Sequence, residues 1–250
     1  MKLREYQNNI AIQAANKLTA FGCCYLSMEC RTGKTLTALY AADKFSAKRV
    51  LFITKLKAIP SVKNDYIALQ PSFKLEVVNF ESSHKMTGKY DLVIIDEAHS
   101  LGAYPKPSKR TQEIRTICEG LPVLYLSGTP SPESYSQLYH QFWVCSKSPW
   151  KSYKSFYKWA KEYVYTRQKR VNGYLINDYS CANKPKIDND TRNLFISYSQ
   201  EQAGFEYQRA HIAGTDGRQD QRIYQEITKR FGCRHQLLYC SRRFTGKAFD

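Results

Sequence analysis

The chain has 250 residues, of which 42% are hydrophobic and 24% charged. That balance is ordinary for a globular protein and excludes wholesale disorder, a collagen-like repeat and a long coiled coil. Lys and Arg number 38 against 22 Asp and Glu, a formal net charge of +16. Such an excess favours a polyanionic partner, nucleic acid first and an acidic membrane surface second; a basic protein with no such partner is the bland alternative. The length fits one large domain, or one domain with an extension. No apolar run approaches the ~18 residues of a membrane span. The opening MKLREYQNN is polar and lacks the apolar core of a signal peptide. The eight cysteines include no CxxC pair, which argues against a zinc ribbon. Cys233, His235 and Cys240 cluster, but no fourth ligand accompanies them. The cysteines read as reduced, small, mostly buried hydrophobes.

In chain order, CCYLSM (23–28) reads as a buried strand, followed by CRTGKT and a helix over TLTALYAADKF. RVLFIT (49–54) is a second strand, and a helix follows from about residue 57 to 69, with Pro60 tolerated only near its start. KLEVVNF (74–80), LVIID (92–96) and PVLYLSGTP (122–130) supply three further strands. Strands alternating with helices, with continuous apolar runs, predict an α/β fold whose parallel sheet is covered on both faces. Sites in such sheets lie beyond the carboxyl ends of the strands, which is where Lys34, Asp96 and Ser127 fall. Residues 132–145 read as a helix. The stretch 147–170 carries eight basic side chains and one acid, 171–190 is polar and turn-rich, and NLFISYS (193–199) is a strand.

Two motifs carry chemistry. The first is TGKT between a strand and a helix. A polyphosphate needs backbone N–H donors, a cation and a hydroxyl for its metal; Gly33, Lys34 and Thr35 offer these. The full phosphate-loop pattern would place glycine at position 28, where this chain has Met28. The second is LVIIDEAH, a strand ending in Asp96 and Glu97. A carboxylate there suits a Mg²⁺ shell, and its neighbour is positioned to polarise a water. Without the first motif, this strand end would read as a cap for the next helix.

The ordered set LREYQ, CRTGKT, VLFITKLKAI, DEAH and SGTP resembles the superfamily-two helicases and translocases. EVVNFESSHK, DEAHSLGAYPKPSKR, LSGTPSPESYSQLYHQFW and SYSQEQAGF are similar to the Swi/Snf-like branch found in bacteriophages and prophages. The resemblance spans roughly residues 3–205. It implies a RecA-like P-loop lobe binding ATP and Mg²⁺ in a DNA-dependent ATPase. It makes Arg4 and Gln7 the adenine-reading motif, and Arg31, Thr32, Gly33, Lys34 and Thr35 the phosphate loop. Thr35 and Asp96 become the metal residues, Glu97 the base, and His99, Ser127, Gly128 and Thr129 the coupling residues. Arg31 stands where many relatives carry glycine.

The resemblance also implies phosphate-backbone contacts for Thr54 and Lys55, and again for Ser82. Such contacts position a protein without reading sequence. Lys147, Lys151, Lys154, Lys158 and Lys161 are spaced 4, 3, 4 and 3, which on a helix makes one basic stripe. Lys151, Lys154 and Lys158 are therefore candidate DNA contacts, with a solvated helix face as the equal alternative. The expected organisation is a RecA-like lobe over 1–185 and a basic, partly helical extension over 186–250. No arginine-finger motif and no second sheet is readable before Asp250, so a second RecA-like lobe is expected in cis or in trans. The implied setting is the cytoplasm of a bacterial or phage-infected cell, with no membrane partner. The rival function is a non-catalytic ATP- or DNA-binding module that regulates or recruits.

Overall fold

The computed structural model describes residues 3–204. They form an α/β fold around a six-stranded sheet whose strands all run parallel. The chain runs α1 (Glu5–Phe21), β1 (Cys23–Met28), α2 (Lys34–Lys44), β2 (Arg49–Thr54), α3 (Ile59–Leu69) and β3 (Lys74–Asn79). It continues through β4 (Leu92–Asp96), α4 (Lys109–Ile117), β5 (Val123–Leu126), α5 (Gln137–Trp143) and α6 (Phe156–Tyr163). A hairpin of β6 (Arg167–Val171) and β7 (Tyr174–Asp178) precedes α7 (Lys184–Thr191) and β8 (Phe195–Tyr198). The sheet order is β3-β2-β4-β5-β1-β8, and β6 and β7 pair only with each other.

The apolar runs explain the layering. Successive side chains on a strand point to opposite faces. In β1, Cys23 and Tyr25 join one core, while Cys24, Leu26 and Met28 join the other. In β4, Val93 and Ile95 face the first, and Leu92 and Ile94 the second. Ile10, Ala14 and Leu18 of α1 and Ala38, Leu39 and Ala42 of α2 cover the second core. Ile114, Phe142, Trp159 and Ile187, one from each of α4, α5, α6 and α7, cover the first. Local chemistry sets the ends of these helices. Gly22 closes α1 in the left-handed region and returns its N–H to the Leu18 carbonyl at 2.9 Å. Ser108, Ser155 and Asn183 cap α4, α6 and α7 through their side-chain oxygens.

The parallel sheet with flanking helices bears out the expected class, and all five strands expected before residue 131 are present. Four expectations are refined. The helix expected over 132–145 is confined to Gln137–Trp143. No single helix carries the lysine stripe: α6 starts at Phe156 after an extended Ser155 (φ −152°, ψ 155°), so Lys147, Lys151 and Lys154 precede it. The polar, turn-rich stretch expected over 171–190 holds β7, which pairs with β6 as a hairpin, and most of α7. The boundary expected at 185/186 falls inside α7, and β8 beyond it pairs with β1 to form the edge of the sheet. Cys233, His235, Cys240 and the rest of the expected extension past residue 204 lie outside the described residues.

Aromatic packing dominates the first core. Phe142 is fully buried and has Tyr25, Tyr125, Trp150 and Phe195 within 6.0 Å of its ring centre. Phe142→Ala is expected to cost about 3–5 kcal/mol, the usual range for emptying a buried aromatic site. A urea titration would read this as a lower midpoint at unchanged slope.

Candidate functional site at the carboxyl edge of the sheet

Six parallel strands put six carboxyl ends on one edge. The loop 29–33 leaves β1 there, Lys55 follows β2, Asp96 ends β4 and Ser127 follows β5.

The loop 29–33 is held from three sides. The Tyr6 hydroxyl donates to the Thr32 carbonyl at 3.0 Å. Gln200, just past β8, donates its backbone N–H to Glu29 Oε2 at 2.9 Å and its amide to the Cys30 carbonyl at 2.8 Å. Tyr6 also stacks on Tyr198, with ring centres 4.5 Å apart. Thr32 is buried, and its hydroxyl donates to the Glu29 carbonyl at 2.7 Å. Its side chain therefore shapes the loop, and only its backbone remains for a ligand. Met28, in place of the first glycine of the phosphate-loop pattern, is the buried last residue of β1. The tight loop thus starts one residue later, at Glu29.

Gly33 is required twice over. Its φ of +78° lies in the left-handed region, and a β-carbon there would stand 2.2 Å from Gln7 Nε2. Gly33 is also the N-cap of α2 and supplies no side-chain cap. The first N–H groups of α2 have no carbonyl within the helix to meet, and an anion suits them. Lys34 begins that helix, and its Nζ donates to the Glu29 carbonyl at 3.3 Å. Thr35 follows on the first turn, half-buried. Arg31 is exposed and also left-handed, at φ 65°.

Gln7 is buried, and its Oε1 accepts the Arg4 N–H at 3.0 Å. The amide is therefore tied to the start of α1, with its nitrogen beside Gly33. Its oxygen is thus already bonded, while Arg4 is exposed beside it.

Asp96 and Glu97 form the facing side. Asp96 Oδ2 accepts the Thr54 hydroxyl at 2.8 Å, and Oδ1 accepts the Glu97 N–H at 3.0 Å. Burial pushes the Asp96 carboxyl above its ordinary value, and Glu97 adds to the rise; the Thr54 bond and the Lys34 charge oppose it. Glu97 is left-handed at φ 52°, an uncommon conformation for a side chain of its size. Its carboxylate lies 3.4 Å from Lys55 Nζ and 3.3 Å from His99 Nδ1. His99 Nδ1 is also 3.0 Å from Ser127 Oγ, which in turn accepts the Thr129 N–H at 3.0 Å. Burial lowers the His99 pKa, against the pull of Glu97. Gly128 packs on the backbone of Met28 and Cys30, 3.4–3.7 Å from where its β-carbon would stand. The Ser127 loop therefore touches the loop of β1.

Two expectations about nucleic-acid contact change. Thr54 is fully buried and spends its hydroxyl on Asp96, so it orients that carboxylate and cannot reach a phosphate backbone. Lys151 and Lys154 lie away from this edge. With Arg115, Trp143 and Trp150 they line a cavity of about 520 Å³. The wall residue Cys145 donates its thiol to the Gly22 carbonyl, at the amino end of β1. Lys55 and Lys158 are exposed and Ser82 is half-buried.

Sequence reasoning missed Tyr6, Glu29, Tyr198 and Gln200 as supports of the loop. The SYSQEQ stretch carried a faint signal, a polar tetrapeptide directly after a strand. No family model matches the chain, and no curated protein matches it.

Two outcomes follow. Gly33→Ala should destabilise the fold by at least about 1–2 kcal/mol from the left-handed backbone alone; chemical denaturation would measure it. Asp96→Asn should stabilise it at pH 7. The Asp96 carboxyl titrates above its unfolded value, so its ionised form carries a penalty at higher pH. That penalty, and with it the gain in melting temperature, should shrink as pH falls through the folded value toward the ordinary aspartate range.

Proposed function

We propose that this chain is the ATP-binding, RecA-like motor lobe of a DNA-dependent ATPase of helicase or translocase type, acting with a second RecA-like lobe. One observation carries the reading: Lys34, Asp96, Glu97, His99 and Ser127 leave three different strands and meet at one sheet edge, linked by the contacts described above.

The residues fit MgATP in kind. Gly33, Lys34 and Thr35 would hold the phosphates, with Arg31 at the rim and Arg4 with Gln7 toward the base. Asp96 and Thr35 would hold Mg²⁺. Among the described residues no group of three His, Cys, Asp or Glu side chains could hold a metal. That suits Mg²⁺, which takes one or two carboxylates and completes its shell with water and substrate phosphates. Mg²⁺ held there would help neutralise the charge building on the transferred phosphoryl group.

The protein groups then have separate tasks. The Lys34 ammonium faces the outer phosphates. Thr54 fixes the Asp96 carboxylate so that its remaining lone pairs stay available. Glu97 orients the attacking water and accepts its proton. His99 links Glu97 to Ser127, so the state of the base is felt in the β5 loop. Lys55, exposed, and Ser82, half-buried, would make phosphate-backbone contacts with DNA. Among the described residues no helix is long and apolar enough to cross a membrane.

Lys34→Ala should weaken MgATP binding by roughly ten- to hundredfold, the loss of a charge-assisted contact of about 1.5–3 kcal/mol. Glu97→Gln should leave binding near the parent value and abolish DNA-stimulated phosphate release measured with the second lobe supplied. Undiminished binding by the Lys34 variant would refute the reading. MgATP binding without turnover, with both lobes and DNA present, would favour a regulatory module.

A further inference from the structure

The β6–β7 hairpin has no role in the site described above. Its turn, Asn172-Gly173, has φ of 49° and 85°, the pair of left-handed residues that a two-residue hairpin turn requires. Every residue from 165 to 177 is exposed. Tyr174 is 76% exposed and Leu175 62%, with Val171 and Ile176 also outside. An isolated two-stranded hairpin is marginal in water. Among the described residues no third strand pairs with this one.

The ribbon is nevertheless firmly rooted. Val164 and Ala182 bridge at its base, and the Tyr165 N–H bonds the Cys181 carbonyl at 2.9 Å. Ser136 Oγ donates to the Tyr179 carbonyl at 2.5 Å, and Ser134 Oγ to the Ser180 carbonyl at 2.6 Å. Both serines lie on the segment that continues from Ser127. Lys169, Ile176 and Asp178 line a cavity of about 410 Å³ together with Tyr104 and Glu133. Tyr104 follows the DEAH turn and Glu133 follows SGTP, so the root of the ribbon stands at the carboxyl edge of the sheet.

Its charge selects a partner. Strand β6 presents Arg167, Lys169 and Arg170, and the only acid of the two strands is Asp178, paired with Lys169 at 3.5 Å. A cationic ribbon with both faces in water matches a polyanion, and the major groove of duplex DNA admits a two-stranded β-ribbon. We propose that the Arg167–Asp178 hairpin is a DNA-binding arm, laying its cationic strand along the phosphates of a duplex at the edge that carries the ATP site. This rests on the reading of the lobe as DNA-dependent, and assigns part of the DNA contact to residues outside the motifs.

The test uses the full chain, a 30-base-pair duplex of arbitrary sequence and fluorescence anisotropy between 50 and 200 mM salt, with MgATP binding measured in parallel. Arg167→Gln, Lys169→Gln and Arg170→Gln together should lower the log–log salt slope by about 2–3 if each meets a phosphate. MgATP affinity should stay at the parent value. Because Lys169 is paired with Asp178, Arg170→Glu alone provides a second variant that keeps the pair; it too should weaken duplex binding, with an unchanged circular dichroism spectrum. An unchanged slope in both variants, or a loss confined to single-stranded DNA, overturns the arm. MgATP binding by a parent that binds no duplex overturns the arm and leaves the ATP reading standing. A lost slope in a chain whose parent binds no MgATP supports the arm and refutes the ATP reading.

Discussion

The Asp96 carboxylate is held where its surroundings disfavour its charge, and much of the site is arranged around that. Burial at the end of β4 raises its pKa. Thr54 from β2, Lys34 from α2 and the Glu97 N–H all act in the other direction. A buried carboxylate surrounded by donors and an ammonium, without a tight ion pair of its own, is a poor device for stability. Under the proposed function it would serve a cation that arrives with its own charge. The parallel register of β2 and β4 brings Thr54 and Asp96 to the same edge. The hydrogen bond between them is therefore a property of the sheet, and this is why a residue that looked like a DNA contact is an orienting one.

Two of the five described non-glycine residues in the left-handed region lie at this edge. Arg31 lies in the loop after β1 and Glu97 in the turn after β4. Neither is a type that seeks that conformation, and holding it costs of order 1–3 kcal/mol. At Arg31 the cost is held by Thr32, Tyr6 and Gln200 on the same loop. At Glu97 it turns the side chain toward Lys55 and His99.

The central strands were legible because each is buried on both faces and so reads as an unbroken apolar run. The motif residues were legible because they sit where those runs stop. What was not legible divides by cause. Helix α1 hides its packing face in alanines, Ala11, Ala14 and Ala15, which weigh little in an apolar pattern. Helix α4 buries only Thr111 and Ile114, too few to show a period. The lysine spacing from 147 to 161 imitated a helix because periodicity counts positions and ignores the extended Ser155 that interrupts them. The hairpin did carry its turn signal, Asn172-Gly173. Its strands lack alternation because neither face is buried, so the usual confirming pattern was absent for a physical reason.

That last failure connects the fold to the proposed partner. Alternation in a strand records which face the protein keeps for itself. A ribbon rich in charge, without alternation, records that the protein keeps neither, and its stability must come from its root and turn. Here the root is Ser134 and Ser136, on the chain that has just left the His99–Ser127 contact. The supports of the loop after β1 come from the other flank, from α1 and the end of β8. One edge of the sheet thus carries two separately braced structures. One is a tight loop, proposed for phosphates, shaped by Gly33 and the buried Thr32 hydroxyl. The other is an exposed cationic ribbon set by serine bonds to backbone carbonyls. A small ligand needs the first kind of precision, fixed to fractions of an ångström. A polymer read through its backbone needs only the second, charge held at the right place on a firm base.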